Sequence, residues 1–123
     1  MAYYNKKIVA VDDSALILKM LDKVLGKKYE LYAFSDGNRA FEFLRKKTPD
    51  LIILDIHMPG INGFDMIWKI KQMDNLTNVP VIFLTSNSDK EHVLKAMAAG
   101  AKDYALKPID EDILLKKVDK LLW

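Results

Sequence analysis

The chain has 123 residues, half of them hydrophobic, with 19 Lys and Arg against 17 Asp and Glu and a formal charge of +2. This is the composition of one globular domain with room for a real core, and so small a charge points to neither a nucleic acid nor a membrane surface as partner. The absence of cysteine excludes disulfides and thiolate chemistry, and no apolar run approaches the roughly 20 residues of a membrane span.

The first apolar run, Ile8-Val9-Ala10-Val11, lies in a strand predicted over Lys7–Val11 and reads as buried on both faces. It stops after four residues at Asp12-Asp13, which is not how a signal peptide ends, so a cytoplasmic location is expected. Ile17, Met20, Leu21 and Val24 recur at helical spacing and predict a helix over Ser14–Leu25, with Ser14 as N-cap and Gly26 as C-cap. A strand over Tyr29–Ala33 leads through the turn Ser35-Asp36-Gly37 to a helix over Asn38–Lys46. Arg45-Lys46-Lys47 suits the negative end of that helix dipole and reads as a solvated end, not a nucleic-acid patch.

After the turn Thr48-Pro49-Asp50 comes the wholly apolar strand Leu51–Leu54, closed by Asp55. Gly60 and Gly63 let the next loop turn beside the acids, and a helix follows over Gly63–Gln72. The strand Val81–Leu84 is closed by Thr85. A helix over Asp89–Ala98 has Asp89 as N-cap and Gly100 at its C-terminal end. The strand Tyr104–Leu106 is closed by Lys107, and Leu114, Val118 and Leu121 mark a last helix over Glu111–Leu122. Lys116, Lys117 and Lys120, mixed with Glu111, Asp112 and Asp119, give that helix an ordinary charged face. Met20, Met66 and Met97 read as core filler by spacing, and His92 as a surface or groove residue.

Five βα units predict an α/β fold: a doubly wound parallel sheet with helices on both faces, a (βα)5 three-layer sandwich. The flavodoxin-like strand order 2-1-3-4-5 suits this length and is adopted from precedent. Four strands then end on one edge in acid, acid, hydroxyl and amine, an arrangement for a carboxylate-rich metal and phosphoryl site. Three clustered carboxylates repel, so without a cation at least one should hold its proton more tightly than usual. There is no GxGxxG and no GxxxxGK[ST], hence no cradle for ATP or NAD.

Val11-Asp12-Asp13-Ser14, Pro49-Asp50-Leu51-Ile52-Ile53-Leu54-Asp55, Met58-Pro59-Gly60 with Gly63, Leu84-Thr85-Ser86, and Gly100-Ala101-Lys102-Asp103-Tyr104-Ala105-Leu106-Lys107-Pro108 stand in this order, each set by its own strand. Together they resemble the receiver domain of two-component response regulators, over essentially the whole chain, residues 1–123. The resemblance implies that Asp55 accepts a phosphoryl group from the phosphohistidine of a sensor histidine kinase or phosphotransfer protein. It implies a Mg2+ site, which Mn2+ also fits, made by Asp13 and Asp55 directly, Asp12 through water, and the backbone carbonyl of His57. Lys107 and Thr85 would bind phosphoryl oxygens, and Thr85 and Tyr104 would relay phosphorylation to the surface of the fourth helix, fifth strand and fifth helix. A downstream protein or a fused output domain would dock there. His57 and Asn87 would tune the phosphoryl lifetime, Ser86 would give the phosphoryl group room, and Pro108 would follow a cis peptide that aims Lys107 inward. The unphosphorylated chain is expected to be a monomer, and the resemblance leaves a phosphorylated dimer open.

Self-phosphorylation and self-dephosphorylation without turnover of other substrates is therefore the leading reading. One rival is a receiver-like interaction module that works without phosphorylation; loss of an acid or of Lys107 would favour it, and neither is lost. An aspartyl phosphatase would need a second acid two residues after its nucleophile, where His57 stands. A flavodoxin fails because two acids occupy the loop after the first strand. The chain stops at Leu122-Trp123, which suits either a stand-alone receiver or one cut from a longer protein.

Overall fold

Each apolar run becomes a strand, because a sheet covered on both faces buries every side chain of such a run. The computed structural model, which describes residues 6–58, 60–86 and 90–123, contains β1 (Lys7–Val11), α1 (Ala15–Leu25), β2 (Glu30–Phe34), α2 (Gly37–Lys46), β3 (Leu51–Asp55), α3 (Gly63–Gln72), β4 (Val81–Thr85), α4 (Lys90–Ala98), β5 (Asp103–Leu106) and α5 (Glu111–Leu122). The strands are parallel and ordered β2-β1-β3-β4-β5. This is the flavodoxin-like order, with β1 and β3 adjacent at the switch point where such sheets bind ligands. Every residue of β3 and β4 is buried.

Strand alternation divides the core in two. Val9, Val11, Ile52, Leu54, Val81 and Phe83 pack with Leu44 of α2, Met66, Ile67 and Ile70 of α3, and Ala96 of α4. Ile8, Ala10, Leu51, Ile53, Ile82 and Leu84 pack with Leu21 and Leu25 of α1 and Leu114 and Val118 of α5. Among the described residues, no helix is long and apolar enough to cross a membrane.

The helix starts are written in side chains. Ser14, Asp36, Asn62 and Asp110 each accept a hydrogen bond from the backbone N–H three residues on, at 2.8–3.3 Å. The expected cap Asp89 lies outside the described residues. β2 begins one residue later than expected, because the Tyr29 N–H bonds back to the Leu25 carbonyl at 2.8 Å and closes the end of α1. Met97 is not core filler: α4 buries only Ala96 among its residues and turns Met97 toward solvent.

The charged face of α5 is less solvated than its sequence implies. Lys117 pairs with Asp103 at 3.1 Å and lies over the Tyr104 ring at 4.8 Å. Asp119 accepts from the Lys28 ammonium at 2.9 Å and from the Tyr29 hydroxyl, which in turn accepts from Trp123 Nε1 at 2.9 Å.

Candidate functional site

Among the described residues the buried polar or charged side chains are Asp12, Asp55 and Thr85. All three stand at strand ends on one edge of the sheet. The registers Val11 beside Leu54, Asp55 beside Leu84 and Thr85 beside Leu106 bring these ends together. Asp12 continues the ladder past β1, its N–H donating to the Phe34 carbonyl at 3.1 Å. Its Oδ1 accepts from the Ser14 N–H at 2.9 Å. Asp55 ends β3, with Oδ1 facing the His57 N–H at 3.3 Å.

Lys107 reaches in from the loop after β5. Its Nζ lies 2.7 Å from Asp12 Oδ2 and 3.2 Å from Asp55 Oδ1. Its backbone N–H donates to the Thr85 carbonyl at 2.8 Å, and the Lys107–Pro108 peptide is cis. Burial pushes the Asp55 carboxyl above the usual aspartate range, the Asp12 charge pushes it further, and Lys107 and the His57 N–H offset only part of this. Burial alone would lower the Lys107 ammonium, but its contacts with Asp12 and Asp55 outweigh that and hold it above the usual lysine value.

The three acids also fit a hard cation. Asp12, Asp13 and Asp55 each offer a carboxylate oxygen, and these lie within 4.8 Å of one another. Buried Asp12 Oδ2 meets the Lys107 ammonium as a charge contact but accepts no aligned hydrogen bond, leaving acceptor capacity for a metal or its water. An all-oxygen set opening to solvent at Asp13, which is exposed, is the donor chemistry Mg2+ takes.

Two glycines hold the β3–α3 loop against this cluster in different ways. A Cβ on Gly63 would lie 2.6 Å from the Asp55 carbonyl oxygen and 2.8 Å from Ile56 Cα. Gly60 has open space but a φ of +79°. Gly63→Ala is therefore expected to cost about 2–3 kcal/mol, as overpacking against backbone does, and Gly60→Ala about 1–2 kcal/mol from the left-handed backbone alone. Urea unfolding of the two variants checks the order.

Ser86 is exposed beside Thr85, and Asn87 and Pro59 lie outside the described residues. Tyr104 is half-buried on β5. It borders one cavity of about 160 Å3 with Lys90, Val93 and Leu94 and another of about 390 Å3 with Ile109, Ile113 and Lys117. The sequence places His92 on the surface or in a groove but does not pair it with His57. Its Nε2 lies 3.1 Å from His57 Nε2, so α4 touches the loop after β3. The two histidines are 35 residues apart, and nothing local in the chain signals the pairing.

A family profile described as "Response regulator receiver domain" matches residues 8–119. The DNA-binding response regulator MtrA of Mycolicibacterium paratuberculosis is 34% identical over 115 residues, which cover 93% of this chain and 50% of MtrA. The chain thus spans about half the length of that relative. The chemotaxis protein CheY4 of Vibrio cholerae superposes with a TM-score of 0.90 at 30% identity, over 95% of this chain and 98% of CheY4. The BeF3-activated receiver domain of DrrB superposes with a TM-score of 0.87 at 33% identity, over 95% and 97% of the two chains.

Proposed function

The chain belongs to the response regulator receiver domain family, and on that premise we propose that it is a phosphorylation-activated switch with Asp55 as phospho-acceptor. The observation that carries the reading is the Lys107 ammonium set between Asp12 and Asp55, at 2.7 and 3.2 Å, beside a three-carboxylate cluster. A histidine kinase or phosphotransfer protein would present its phosphohistidine at this edge. An Asp55 carboxylate oxygen attacks phosphorus, the P–N bond breaks, and the imidazole, already carrying a proton on its other ring nitrogen, leaves as the neutral base. Lys107 then pairs with one phosphoryl oxygen and the Thr85 hydroxyl donates to another. Water attack on phosphorus of the acyl phosphate releases inorganic phosphate and returns the free carboxylate.

Asp13 and Asp55, Asp12 through water, and the His57 carbonyl would hold Mg2+ or Mn2+. When bound, that ion neutralises charge on the phosphoryl oxygens, where positioning and electrostatics supply most of the catalysis. His57 and Asn87 would set how readily water reaches the acyl phosphate.

Thr85 and Tyr104 would carry the signal: as Thr85 turns to the phosphoryl group, the Tyr104 ring moves inward. That is a shift between two packings. Exposed Leu94, Leu106 and Ile113 surround this tyrosine on α4, β5 and α5, and a downstream protein, a fused output domain or a second phosphorylated copy would dock there. In this reading residues 1–123 form a single receiver domain, cytoplasmic and monomeric until phosphorylated, that needs no direct nucleic-acid contact of its own.

Trp68 is 65% exposed, so the direct test is intact mass rather than fluorescence. Acetyl phosphate with Mg2+ is expected to add one phosphoryl group that is lost on raising the pH and not gained under chelation. Folded protein that gains no phosphoryl mass would leave the rival reading, an interaction module independent of phosphorylation.

A further inference from the structure

We propose that His57 and His92 form a two-imidazole site for a borderline divalent transition metal such as Ni2+ or Zn2+, separate from the carboxylate cluster. Their Nε2 atoms lie 3.1 Å apart. Metal–imidazole bonds of about 2.0–2.1 Å place two ligand nitrogens about 2.9 Å apart at a right angle and about 3.3 Å apart at a tetrahedral angle. The observed spacing falls between these limits.

The ring positions sharpen the argument. A metal held by both nitrogens at that spacing would set the ring centroids roughly 4.8 Å apart. Two rings aimed end to end through a hydrogen bond would stand about 5.4 Å apart. The centroids are 4.9 Å apart, with the planes inclined by 33°. The two rings are therefore not aligned end to end, and their separation is the one that a shared ion would set.

The ligands come from two separate elements, the loop after β3 and α4, and Phe64 of α3 meets the His92 ring edge-on at 5.7 Å. His57 is exposed, so water can complete the coordination shell. Neutral imidazoles take Ni2+ and Zn2+ and discriminate strongly against Mg2+, whereas the nearby carboxylates accept Mg2+ and are kept filled by it when it is in excess. On binding, the single proton shared between the two nitrogens leaves for Nδ1 of its ring or for solvent, and each Nε2 lone pair goes to the metal. A bound ion would tie α4 to the loop that follows Asp55. Nothing in this depends on phosphorylation.

Calorimetric titration of untagged protein with NiCl2 in excess Mg2+ tests the site. One Ni2+ per chain is expected. Its affinity should fall at least 10-fold in His92→Ala and again in His57→Ala, while Asp13→Asn leaves it unchanged. Circular dichroism before titration confirms that each variant is folded. Equal affinity in folded His92→Ala, loss of binding in Asp13→Asn, or no binding to the wild type in excess Mg2+ would each overturn the proposal.

Discussion

Lys107→Ala is expected to destabilise the unphosphorylated protein by about 2–4 kcal/mol at neutral pH without divalent cations. Removing one partner of a buried ion pair typically costs about 3–5 kcal/mol, because the remaining charge stays desolvated and unpaired. The estimate is reduced because the Lys107 side chain keeps 19% of its surface in water. Two anions lose their partner at once: Asp12, which is fully buried, and Asp55, which is nearly so. The ammonium is held more tightly in the folded state than in the unfolded chain. Its contribution is thus complete below the ordinary lysine pKa and fades as pH rises through the raised folded value. Urea unfolding of Lys107→Ala, Asp55→Asn and the double variant should give a coupling of at least about 1 kcal/mol, as contacting charges do. A Lys107→Ala protein within about 0.5 kcal/mol of wild type would show that this ammonium behaves as an ordinary surface charge. In function, the variant should still take up a phosphoryl group but fail to pass the change to the α4-β5-α5 face.

What the sequence reveals here follows from where the information is local. Asp12, Asp13 and Asp55 are legible because each follows an apolar run that only a doubly covered strand tolerates, so a carboxylate there breaks the pattern visibly. Lys107 has no such signature of its own. A lone lysine after a strand reads as surface, and only Lys107-Pro108 after a strand, in the company of the other strand-end motifs, reverses that. Tyr29 misleads by one residue because a buried tyrosine looks the same at a strand start as at a helix end. Lys117 and Asp119 look solvated because charge spacing along α5 cannot show that Asp103, Lys28 and Tyr29 approach from other elements. The His57–His92 contact depends on where α4 lies over the β3–α3 loop, a tertiary distance with no period or turn to encode it.

Asp55→Asn is expected to abolish phosphoryl uptake and, in the same experiment without divalent cations, to make the protein more stable. The first result follows from chemistry: an amide oxygen has neither the charge nor the basicity to attack phosphorus and form a lasting acyl phosphate. The second follows from burial. Wild-type Asp55 is a desolvated anion beside Asp12, and Lys107 only partly compensates it. Replacing it by a neutral side chain of the same shape removes that desolvation and the repulsion from Asp12, and should raise stability. The sign against pH is specific. Because the folded pKa is raised, the native state binds a proton more readily than the unfolded chain, so wild-type stability falls as pH rises from the ordinary aspartate pKa through the folded one. The advantage of Asp55→Asn should therefore be full above that window and vanish below it. Adding Mg2+ should narrow the gap, since an ion held by the carboxylates stabilises the wild type by mass action. If the variant gains the same base-labile mass, the phospho-acceptor lies elsewhere. If it is less stable than wild type at neutral pH, Lys107 already over-compensates the cluster, and the cost of holding three acids together is not what poises this edge to take a cation and a phosphoryl group.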